Sequence, residues 1–453
     1  MTKAMKNRWP IPKLAACTCG RAHTPAPGMP PVLMGEESLR SAAALLQETM
    51  GPGPFMMVAD CNTQPLADII SARLSSLPHT VFTFPHAAEA TAQSVALIEA
   101  ALPADAKGLI AVGSGSITDC TRLVSFKAGL PFAVFPTAAS MDGYLSWGAP
   151  VLVDGYKRTY PAQSPAVVIA DPEIYAAAPI TLTQAGFGDI LGKYTSLADW
   201  RIGHLLLAEY WCSAIVSSVE QVLGECMDIA DQLATDPVAA ATTVMQALLV
   251  TGHAMICVGN SRPASGAEHH ISHYWEMRAL AENQPAPYHG AQVGVACVLS
   301  AAIYEALLVR ESLVEKPFEW AGRQESLSDH IIRQATVNAG YAKDAAAQVL
   351  ADNPRKHVEQ ATQLSFEQIN AWWAQCRNIL EHRLPSPSML VAALRRAGAP
   401  ATPRDLGISP DWVYDAIVYA RELRPILTIL DVAAMAGVLE QMAERLAEES
   451  SRW

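Results

Sequence analysis

Carboxylate and imidazole side chains of the kind that bind divalent metals are concentrated in three short segments of this sequence. The segments are residues 186–189 (Gly-Phe-Gly-Asp), residues 265–273 (Ser-Gly-Ala-Glu-His-His-Ile-Ser-His) and residues 288–290 (Tyr-His-Gly). Each lies beside the start of a predicted helix. One carboxylate and two imidazoles from three helix starts form a three-ligand site with open positions, which is the arrangement of a catalytic divalent metal.

The spacing leaves alternatives open within the middle segment. His269 and His273 are four residues apart and share one helix face, so spacing alone selects neither as the ligand. Glu268 is either a hydrogen-bonding partner of a ligand or a structural charge. Each histidine, taken singly, is also consistent with a capping or core position.

A second chemical signal is the turn Gly113-Ser-Gly-Ser-Ile-Thr-Asp119 between a predicted strand and a predicted helix. Glycine lets the backbone approach an anion closely, and the helix N terminus offers N–H groups and a favourable dipole, so such a turn can hold a dinucleotide pyrophosphate. The third glycine of the G-x-G-x-x-G fingerprint is absent. A turn that only begins a helix has the same pattern.

Asp60 ends the first predicted strand, where a carboxylate can accept hydrogen bonds from an adenosine ribose and disfavours a 2′-phosphate. An ordinary turn or helix-capping aspartate is the alternative.

Cys17, Cys19 and His23 form a C-x-C-G-x-x-H pattern near the N terminus. Three metal ligands are close together, but a fourth is missing and C-x-C is not the usual zinc spacing. The alternative is an exposed arm with incidental thiols.

Composition limits the classes of function. The 453 residues are 51% hydrophobic, enough for two domains, and the net charge of −12 argues against nucleic acid as a main partner. The nine cysteines are scattered, and the basic start lacks the apolar stretch of a signal peptide. The most apolar later stretches contain polar residues such as Gln246 and Thr251, which indicates core helices rather than membrane spans. We therefore expect a cytoplasmic protein.

The elements that position these residues change in type along the chain. Strands are predicted at residues 55–59, 80–84, 108–112 and 131–135, and helices at residues 65–77, 87–101 and 117–128. This alternation predicts an α/β domain with a largely parallel sheet covered on both faces. After about residue 180 the pattern is helical, most clearly at residues 191–211, 239–258, 291–308 and 366–380.

Three parts follow from this pattern. They are a loosely structured N-terminal arm (residues 1–35), an α/β nucleotide-binding domain (residues 36–179) and an all-helical C-terminal domain that binds metal and substrate (residues 180–453).

The sequence resembles the sn-glycerol-1-phosphate dehydrogenases, within the iron-containing alcohol dehydrogenase and dehydroquinate synthase-like superfamily. The resemblance runs from about residue 31 to the C terminus. It rests on Gly113-Ser-Gly-Ser-Ile-Thr-Asp119, Pro136-Thr-Ala-Ala-Ser-Met-Asp-Gly-Tyr144, Gly186-Phe-Gly-Asp189, Ser261-Arg-Pro-Ala-Ser-Gly-Ala-Glu-His269 with His273, and His289-Gly-Ala-Gln-Val-Gly294. It implies the dehydroquinate synthase-like fold, an α/β domain followed by a helical one.

The resemblance also implies roles for the matched positions. It implies that the metal ligands are Asp189, His269 and His289. It implies substrate contacts at Asp142 and His273, and at Asp189 as well. The implied NAD(P) contacts are Gly115, Ser116, Ile117, Thr118, Asp119, Thr137, Ala138, Ala139, Ser140 and Ser146.

Two features depart from the family pattern. Ser114 stands where many relatives have glycine, and the C-terminal half is longer than in short members. The extra helices, around residues 311–375, are expected to cover the cleft or to form an oligomer interface.

The implied reaction is the reversible, metal-assisted reduction of dihydroxyacetone phosphate to sn-glycerol 1-phosphate by NADH or NADPH, with one divalent Zn, Ni or Fe ion. His273 is expected to help deliver the proton. The candidate hydrogen-bond donors to the substrate phosphate are Lys157, Arg158, Lys193 and Arg262, of which Arg262 adjoins the His269 helix.

We expect a small phosphorylated substrate, a homo-oligomer, and neither a nucleic-acid partner nor a membrane span. One alternative is another polyol or alcohol dehydrogenase, or a sugar-phosphate cyclase, on the same scaffold. The other is a non-catalytic, NAD-binding regulatory protein.

Overall fold

Residues 17–21, 23, 29–35 and 38–453 are described by the computed structural model. They divide into two compact units. The first comprises the described residues up to Val153 together with Lys157–Gly186 and Gly224–Gly259, and the second comprises Asp154–Tyr156, Phe187–Leu223 and Asn260–Trp453. The predicted domain boundary at residues 179/180 stays a prediction. The segment Gly224–Gly259, predicted in the helical part, belongs to the first unit.

The first unit is built on a six-stranded parallel sheet with the order β1-β8-β5-β4-β2-β3, and β6 and β7 form a separate pair. The strands are β1 (Val32–Met34), β2 (Phe55–Asp60), β3 (His79–Phe84), β4 (Gly108–Gly113), β5 (Phe132–Pro136), β6 (Gly148–Val153), β7 (Tyr156–Pro161) and β8 (Val167–Ala170). The central strands β2, β4 and β5 are buried along their whole length, as expected for a parallel sheet with helices on both faces.

All regular elements after Ala170 in the described part of the chain are helical. The α-helices are α1 (Ser38–Met50), α2 (Gln64–Arg73), α3 (Ala92–Ala101), α4 (Gly115–Ala128), α5 (Pro172–Tyr175), α6 (Ile180–Leu191), α7 (Lys193–Leu207), α8 (Ser213–Asp228), α9 (Gln232–Thr235), α10 (Pro237–Val258), α11 (Ala267–Ala281), α12 (His289–Leu308), α13 (Pro317–Ser328), α14 (His330–Gly340), α15 (Lys343–Asp352), α16 (Lys356–Ala361), α17 (Phe366–Leu380), α18 (Pro387–Arg396), α19 (Pro410–Tyr419), α20 (Ile429–Ala436) and α21 (Leu439–Glu449).

Two faces of the sheet are covered by different helices. Leu45 of α1 and Ile70 of α2 share a buried cluster with Met57 of β2 and Ile110 of β4. Alternate strand residues such as Met56 are equally buried and point to the other face. Helix α4 packs against β2, β4 and β5. The chain runs outward from β2 to β3 and in the opposite direction from β4 to β5, so right-handed crossovers place α2 and α4 on opposite faces.

The second unit has its own core. It is formed where α11 and α12 pack together and is filled by large side chains that include Trp275, Leu299, Trp320 and Trp373. This core holds α11 and α12 in place, and their first residues carry the predicted metal ligands.

The predicted parallel α/β sheet followed by helices is confirmed, but the arm was predicted too long. Val32–Met34 form β1, which pairs with Val167–Ala170 of β8. A three-residue edge strand after Pro30 and Pro31 is too short to show the alternation of a strand. The hairpin of β6 and β7 was also not predicted. The rest of the predicted arm, residues 1–16, 22 and 24–28, lies outside the described residues.

Two helices, α10 and α12, are long and apolar enough to cross a membrane by length and composition alone. In the structure, however, 78% and 83% of their most apolar windows are buried inside the protein. Both therefore have the burial of core helices.

Candidate active site

Asp189, His269 and His289 lie together in the second unit. Their donor atoms all lie within 4.8 Å of one another. His269 Nε2 is 3.6 Å from Asp189 Oδ1, and the rings of His269 and His289 are 5.3 Å apart between centroids. The side chain of Asp189 is buried, whereas that of His289 is 28% exposed, so the group opens toward solvent on the His289 side. The structure thus brings together the three residues whose segments predicted a metal site.

The second nitrogen of each imidazole is held by a carboxylate. His269 Nδ1 lies 2.9 Å from Glu268 Oε1, and His289 Nδ1 lies 3.0 Å from Glu276 Oε1. This leaves Nε2 of each ring for a metal. Carboxylates that hold a ligand histidine in this way fix its tautomer and increase its basicity.

Glu268 is a partner of a ligand as well as a buried charge. Its Oε1 accepts from the N–H of Gly266 at 2.6 Å, and its Oε2 accepts from Thr195 Oγ1 at 2.6 Å. Burial raises the pKa of Glu268, and these hydrogen bonds oppose that rise. Of the two roles left open by the sequence, the geometry therefore favours that of a hydrogen-bonding partner.

Glycine explains why α6 and α12 approach closely enough to place Asp189 beside His289. A Cβ on Gly188 would lie 2.5 Å from the carbonyl oxygen of Gly290, and a Cβ on Gly294 would lie 2.8 Å from Gly188 Cα. Side chains at these positions would force the two backbones apart. The Gly-Phe-Gly-Asp and His-Gly segments therefore contact each other where α6 packs against α12.

Asp199 fixes the start of the helix that carries His269. Its Oδ2 accepts from the N–H of Ala267 at 2.7 Å, and its Oδ1 accepts from Tyr304 Oη at 2.5 Å and from the N–H of Ile429 at 2.8 Å. Burial raises the pKa of Asp199 to about 8. The sequence did not single out Asp199, because a lone aspartate inside a helix shows no sign of such a contact.

His273 lies one helical turn after His269, and both of its nitrogens are engaged. Its Nδ1 is 2.9 Å from Glu276 Oε2, and its Nε2 is 2.9 Å from Arg424 Nη2. Arginine only donates, so Nε2 accepts, and Nδ1 carries the hydrogen that is donated to Glu276. His273, Glu276 and His289 also form a group of potential ligands, but these hydrogen bonds account for their proximity.

Glu276 and Arg424 were missed by the sequence reasoning. Glu276 holds His273 with one oxygen and His289 with the other, and its position three residues after His273 on the same helix was a usable signal. Arg424 also donates to Ser265 Oγ at 3.4 Å. It is distant from these residues in the sequence and lies in no recognisable motif.

The four residues predicted to donate hydrogen bonds to the substrate phosphate differ in their surroundings. Lys193 is buried and donates to Asp189 Oδ1 at 2.7 Å and to the carbonyl of Ala264 at 3.1 Å. Arg262 makes two 2.6 Å hydrogen bonds to Glu209 and one of 2.8 Å to the carbonyl of Leu427. Its guanidinium is therefore already hydrogen-bonded within the protein, which disfavours Arg262 as the residue that binds the substrate phosphate.

Lys157 and Arg158 lie in β7, one of the two strands of the small β6–β7 sheet. Arg158 is exposed and lies over the ring of Tyr160, 5.5 Å from its centroid. These are the surroundings of a surface charge.

The Gly/Ser turn lies at the switch point of the sheet in the first unit. The chain runs outward from β2 in one direction and from β4 in the other, and ligands of open α/β sheets bind outside the carboxyl ends of the strands at such a point. Gly113 ends β4, and α4 begins at Gly115 without a side-chain cap on its N–H groups. A Cβ on Gly115 would lie 3.7 Å from Met141 Cγ, an ordinary contact, so the turn has room beside it.

The other predicted NAD(P) positions surround this turn or extend from it. Ser116, Ile117 and Thr118 lie in the first turn of α4. Thr137, Ala138, Ala139 and Ser140 follow β5, the neighbour of β4, and the N–H of Thr137 donates to the carbonyl of Gly113 at 3.2 Å. Ser146 Oγ accepts from the N–H of Gly148 at 3.0 Å.

Asp119 acts on this region through a buried arginine. Its carboxylate forms an ion pair with Arg122, whose guanidinium donates to the carbonyls of Gly143, Tyr144 and Gly148. Asp119 therefore helps to hold the segment that contains Ser146.

Asp60 has the contacts of a turn aspartate. Its Oδ1 accepts from the N–H groups of Asn62 and Thr63, both at 3.0 Å, and its Oδ2 accepts from the N–H of Ala88 at 3.0 Å. These contacts match the alternative of an ordinary turn or capping residue, and they occupy most of the lone pairs that a ribose would need.

Asp142 lies in the first unit, between the segment after β5 and Ser146. Its carbonyl oxygen would be 3.0 Å from a Cβ on Gly252, so α10 passes close to its backbone. The predicted substrate contact of Asp142 stays a prediction.

The chain is similar to known proteins in sequence and in fold. Residues 33–179 match the family model described as iron-containing alcohol dehydrogenase. The chain is 31% identical over 435 residues to a glycerol-1-phosphate dehydrogenase [NAD(P)+] of Bacillus licheniformis, which covers 94% of each chain. It is 38% identical over 296 residues to the enzyme of the same name from Halalkalibacterium halodurans, covering 64% of this chain and 74% of the relative.

Solved structures show the same fold at low sequence identity. A probable glycerol dehydrogenase from Sinorhizobium meliloti superposes with a TM-score of 0.59 at 15% identity, covering 91% of this chain and 97% of the other. This likeness supports the fold of the described chain.

Proposed function

The chain belongs to the glycerol-1-phosphate dehydrogenase family within the iron-containing alcohol dehydrogenases, and on this premise we propose that it reversibly reduces dihydroxyacetone phosphate to sn-glycerol 1-phosphate with NADH or NADPH. The observation that carries the proposal is the convergence of Asp189, His269 and His289, each imidazole being backed by a carboxylate.

The donor set fits a divalent metal. It consists of one carboxylate oxygen and two imidazole nitrogens without a thiolate, which suits Zn, Ni or Fe. Asp189, His269 and His289 would hold the ion. The chemistry supplied at this position would be Lewis acidity toward the ketone oxygen of the substrate.

In this proposal Arg424, rather than Arg262, donates hydrogen bonds to the substrate phosphate. Its guanidinium lies beside His273, whereas that of Arg262 is bonded to Glu209. A planar guanidinium presents donors in a geometry that matches phosphate oxygens. Lys193 adds a buried positive charge beside Asp189. The phosphate then binds on the His273 side of the metal ligands.

His273 positions a proton for the product. Reduction of the ketone adds a hydride from the dihydronicotinamide to carbon and a proton to oxygen. In this proposal Arg424 turns from His273 Nε2 to the phosphate when the substrate binds. Nε2 then exchanges a proton with the substrate oxygen or a water, while the Nδ1–H stays hydrogen-bonded to Glu276, whose negative charge stabilises the charged ring. Asp142 and Asp189 complete the proposed substrate contacts.

The dinucleotide is proposed to bind at the Gly/Ser turn of the first unit. The N–H groups at the start of α4 face its pyrophosphate, and Gly115 lets the backbone come close. The residues after β5 and Ser146 line the same end of the sheet.

The cellular setting is part of the same proposal. We place the protein in the cytoplasm as a homo-oligomer that acts on a small phosphorylated substrate. No disulfide joins any of the nine cysteines, all of which lie in the described part of the chain, in keeping with a reducing compartment.

A substrate panel tests the proposed function. The purified protein, loaded in turn with Zn, Ni or Fe, is mixed with NADH or NADPH and with dihydroxyacetone phosphate, dihydroxyacetone or a sugar phosphate, and cofactor absorbance is followed. We expect absorbance to fall with dihydroxyacetone phosphate and to fall far more slowly with dihydroxyacetone. Preference for the unphosphorylated ketone would indicate a polyol dehydrogenase, and conversion of a sugar phosphate without net cofactor use would indicate a cyclase. A protein that binds NADH but no divalent ion would be non-catalytic.

A further inference from the structure

A second group of metal-binding side chains lies outside the proposed active site, at the N-terminal arm. Cys17 Sγ is 3.1 Å from Cys19 Sγ, and Cys19 Sγ is 2.9 Å from His23 Nε2. Neither cysteine is in a disulfide, both are partly buried, and His23 is buried. Three soft or borderline donors thus point at one another within a seven-residue segment.

The backbone of this segment is shaped for that convergence. Gly20, between Cys19 and His23, has a φ of +79°, a left-handed conformation that glycine adopts without strain. It turns the chain so that His23 returns to the cysteines. The C-x-C-G-x-x-H pattern is therefore the sequence of a tight loop with its donors inside.

The loop is attached to the end of α10. Arg21 Nη1 donates to the carbonyl of Val258 at 2.7 Å, and Cys257 Sγ lies 4.0 Å from the carbonyl oxygen of His23. Val258 is the last residue of α10, where helix carbonyls lack partners within the helix and attract a positive charge. The loop has a defined position in the first unit.

We propose that Cys17, Cys19 and His23 bind a zinc ion that holds the loop carrying them in its conformation at the end of α10. Two thiolates and one imidazole are ligands that zinc prefers, and a water or a further thiolate takes the fourth tetrahedral position. Binding releases one proton from each thiol, since the thiolate is the ligand. The site is structural: it stabilises the arm and takes no part in the reaction.

This site differs in donor type from the proposed active site, and the difference gives a selective probe. Asp189, His269 and His289 offer only oxygen and nitrogen, whereas the arm offers two sulfur ligands. Co²⁺ bound by thiolates shows a ligand-to-metal charge-transfer absorption in the near ultraviolet, which an oxygen and nitrogen site lacks. The intensity of this band during a cobalt titration therefore reports on metal binding at the arm and not at the proposed active site.

The test uses the full chain with cobalt and with zinc. We expect the charge-transfer band in the unaltered protein and in His289→Ala, and its loss in the double variant Cys17→Ser/Cys19→Ser and in His23→Ala. Zinc per chain should fall by one equivalent in the two arm variants, and Tm should fall while kcat is kept. Cys61→Ser, which removes an exposed cysteine elsewhere in the first unit, is the matched control and should keep band and zinc.

Three results would overturn the proposal. The first is absence of the charge-transfer band from the unaltered protein, a measurement that does not depend on the folding of any variant. The second is persistence of the band in the double cysteine variant. The third is a disulfide between Cys17 and Cys19 in the mass spectrum of the freshly purified protein. Each would show that the arm does not bind zinc through these thiolates.

Discussion

Arg424 Nη2 lies 2.9 Å from His273 Nε2, although 151 positions separate the two residues in the sequence. The contact fixes His273 in the tautomer with hydrogen on Nδ1, and Glu276 accepts that hydrogen. It also places a guanidinium beside the proposed metal ligands. The proposed recognition of phosphate rests on this pair.

Replacement of Arg424 by alanine should reduce selectivity for the phosphorylated substrate. A hydrogen bond to a charged group contributes roughly 1.5–3 kcal/mol, so kcat/KM for dihydroxyacetone phosphate should fall about ten- to a hundred-fold. The already slow reaction with dihydroxyacetone should change much less. Steady-state kinetics with both ketones measure the ratio.

Two arginines serve as controls for that variant. Arg158→Ala removes an exposed charge and should leave the ratio unchanged. Arg262→Ala breaks the two hydrogen bonds to Glu209 and should lower Tm without changing the ratio. Loss of selectivity in Arg262→Ala, with selectivity kept in Arg424→Ala, would show that Arg262 and not Arg424 binds the phosphate.

His269 and His273 should separate metal binding from turnover. His269→Ala should lose the metal, because its Nε2 is the nitrogen that faces Asp189. His273→Ala should retain the metal while kcat/KM falls about ten- to a hundred-fold, from the loss of a hydrogen bond to a charged or developing-charge group. Metal content and kinetics on both proteins decide this. A metal-free His273→Ala beside a loaded His269→Ala would reverse the assignment.

Gly188→Ala should impair metal binding through the backbone. The added Cβ would lie 2.5 Å from the carbonyl oxygen of Gly290, so α6 and α12 must separate, at a cost of about 1–3 kcal/mol in stability. Metal affinity and Tm should both fall. Gly322→Ala, in the exposed middle of α13 with no atom within 4 Å of the new Cβ, should leave both unchanged or raise Tm slightly. Equal behaviour of the two variants would argue against the close helix contact.

Gly115→Val should weaken NADH binding much more than metal binding. The branched side chain would stand beside the N–H groups at the start of α4, where the pyrophosphate is proposed to lie. Fluorescence titration with NADH and metal analysis on the same sample give the two quantities. An unaltered NADH affinity would place the cofactor elsewhere.

Sequence patterns predicted those parts of the fold and of the site whose structure is determined by residues close together in the sequence. The buried runs of β2, β4 and β5 and the turn at Gly113 are local features. The three short segments that carry Asp189, His269 and His289 are also local, whereas the close approach of Gly188 to Gly290 was not predicted. Resemblance to a family then distinguished His269 from His273, which spacing could not do.

Contacts between distant segments were not predictable in this way. The pairing of Arg424 with His273 and that of Arg262 with Glu209 join segments that no periodicity relates. Arg262 was favoured for phosphate because it is near His269 in sequence, yet its donors are used elsewhere. The short edge strand β1 likewise depends on its partner β8, since three residues carry too little alternation to be recognised.

The most direct test of the account is to identify the product formed from dihydroxyacetone phosphate. The metal-loaded protein is incubated with NADH and dihydroxyacetone phosphate, NADH consumption is recorded, and the enantiomer of the glycerol phosphate is determined by chiral analysis. We expect sn-glycerol 1-phosphate in an amount equal to the NADH consumed, and no product after removal of the metal by a chelator. Formation of sn-glycerol 3-phosphate, or no NADH consumption with this substrate under any metal, would contradict it.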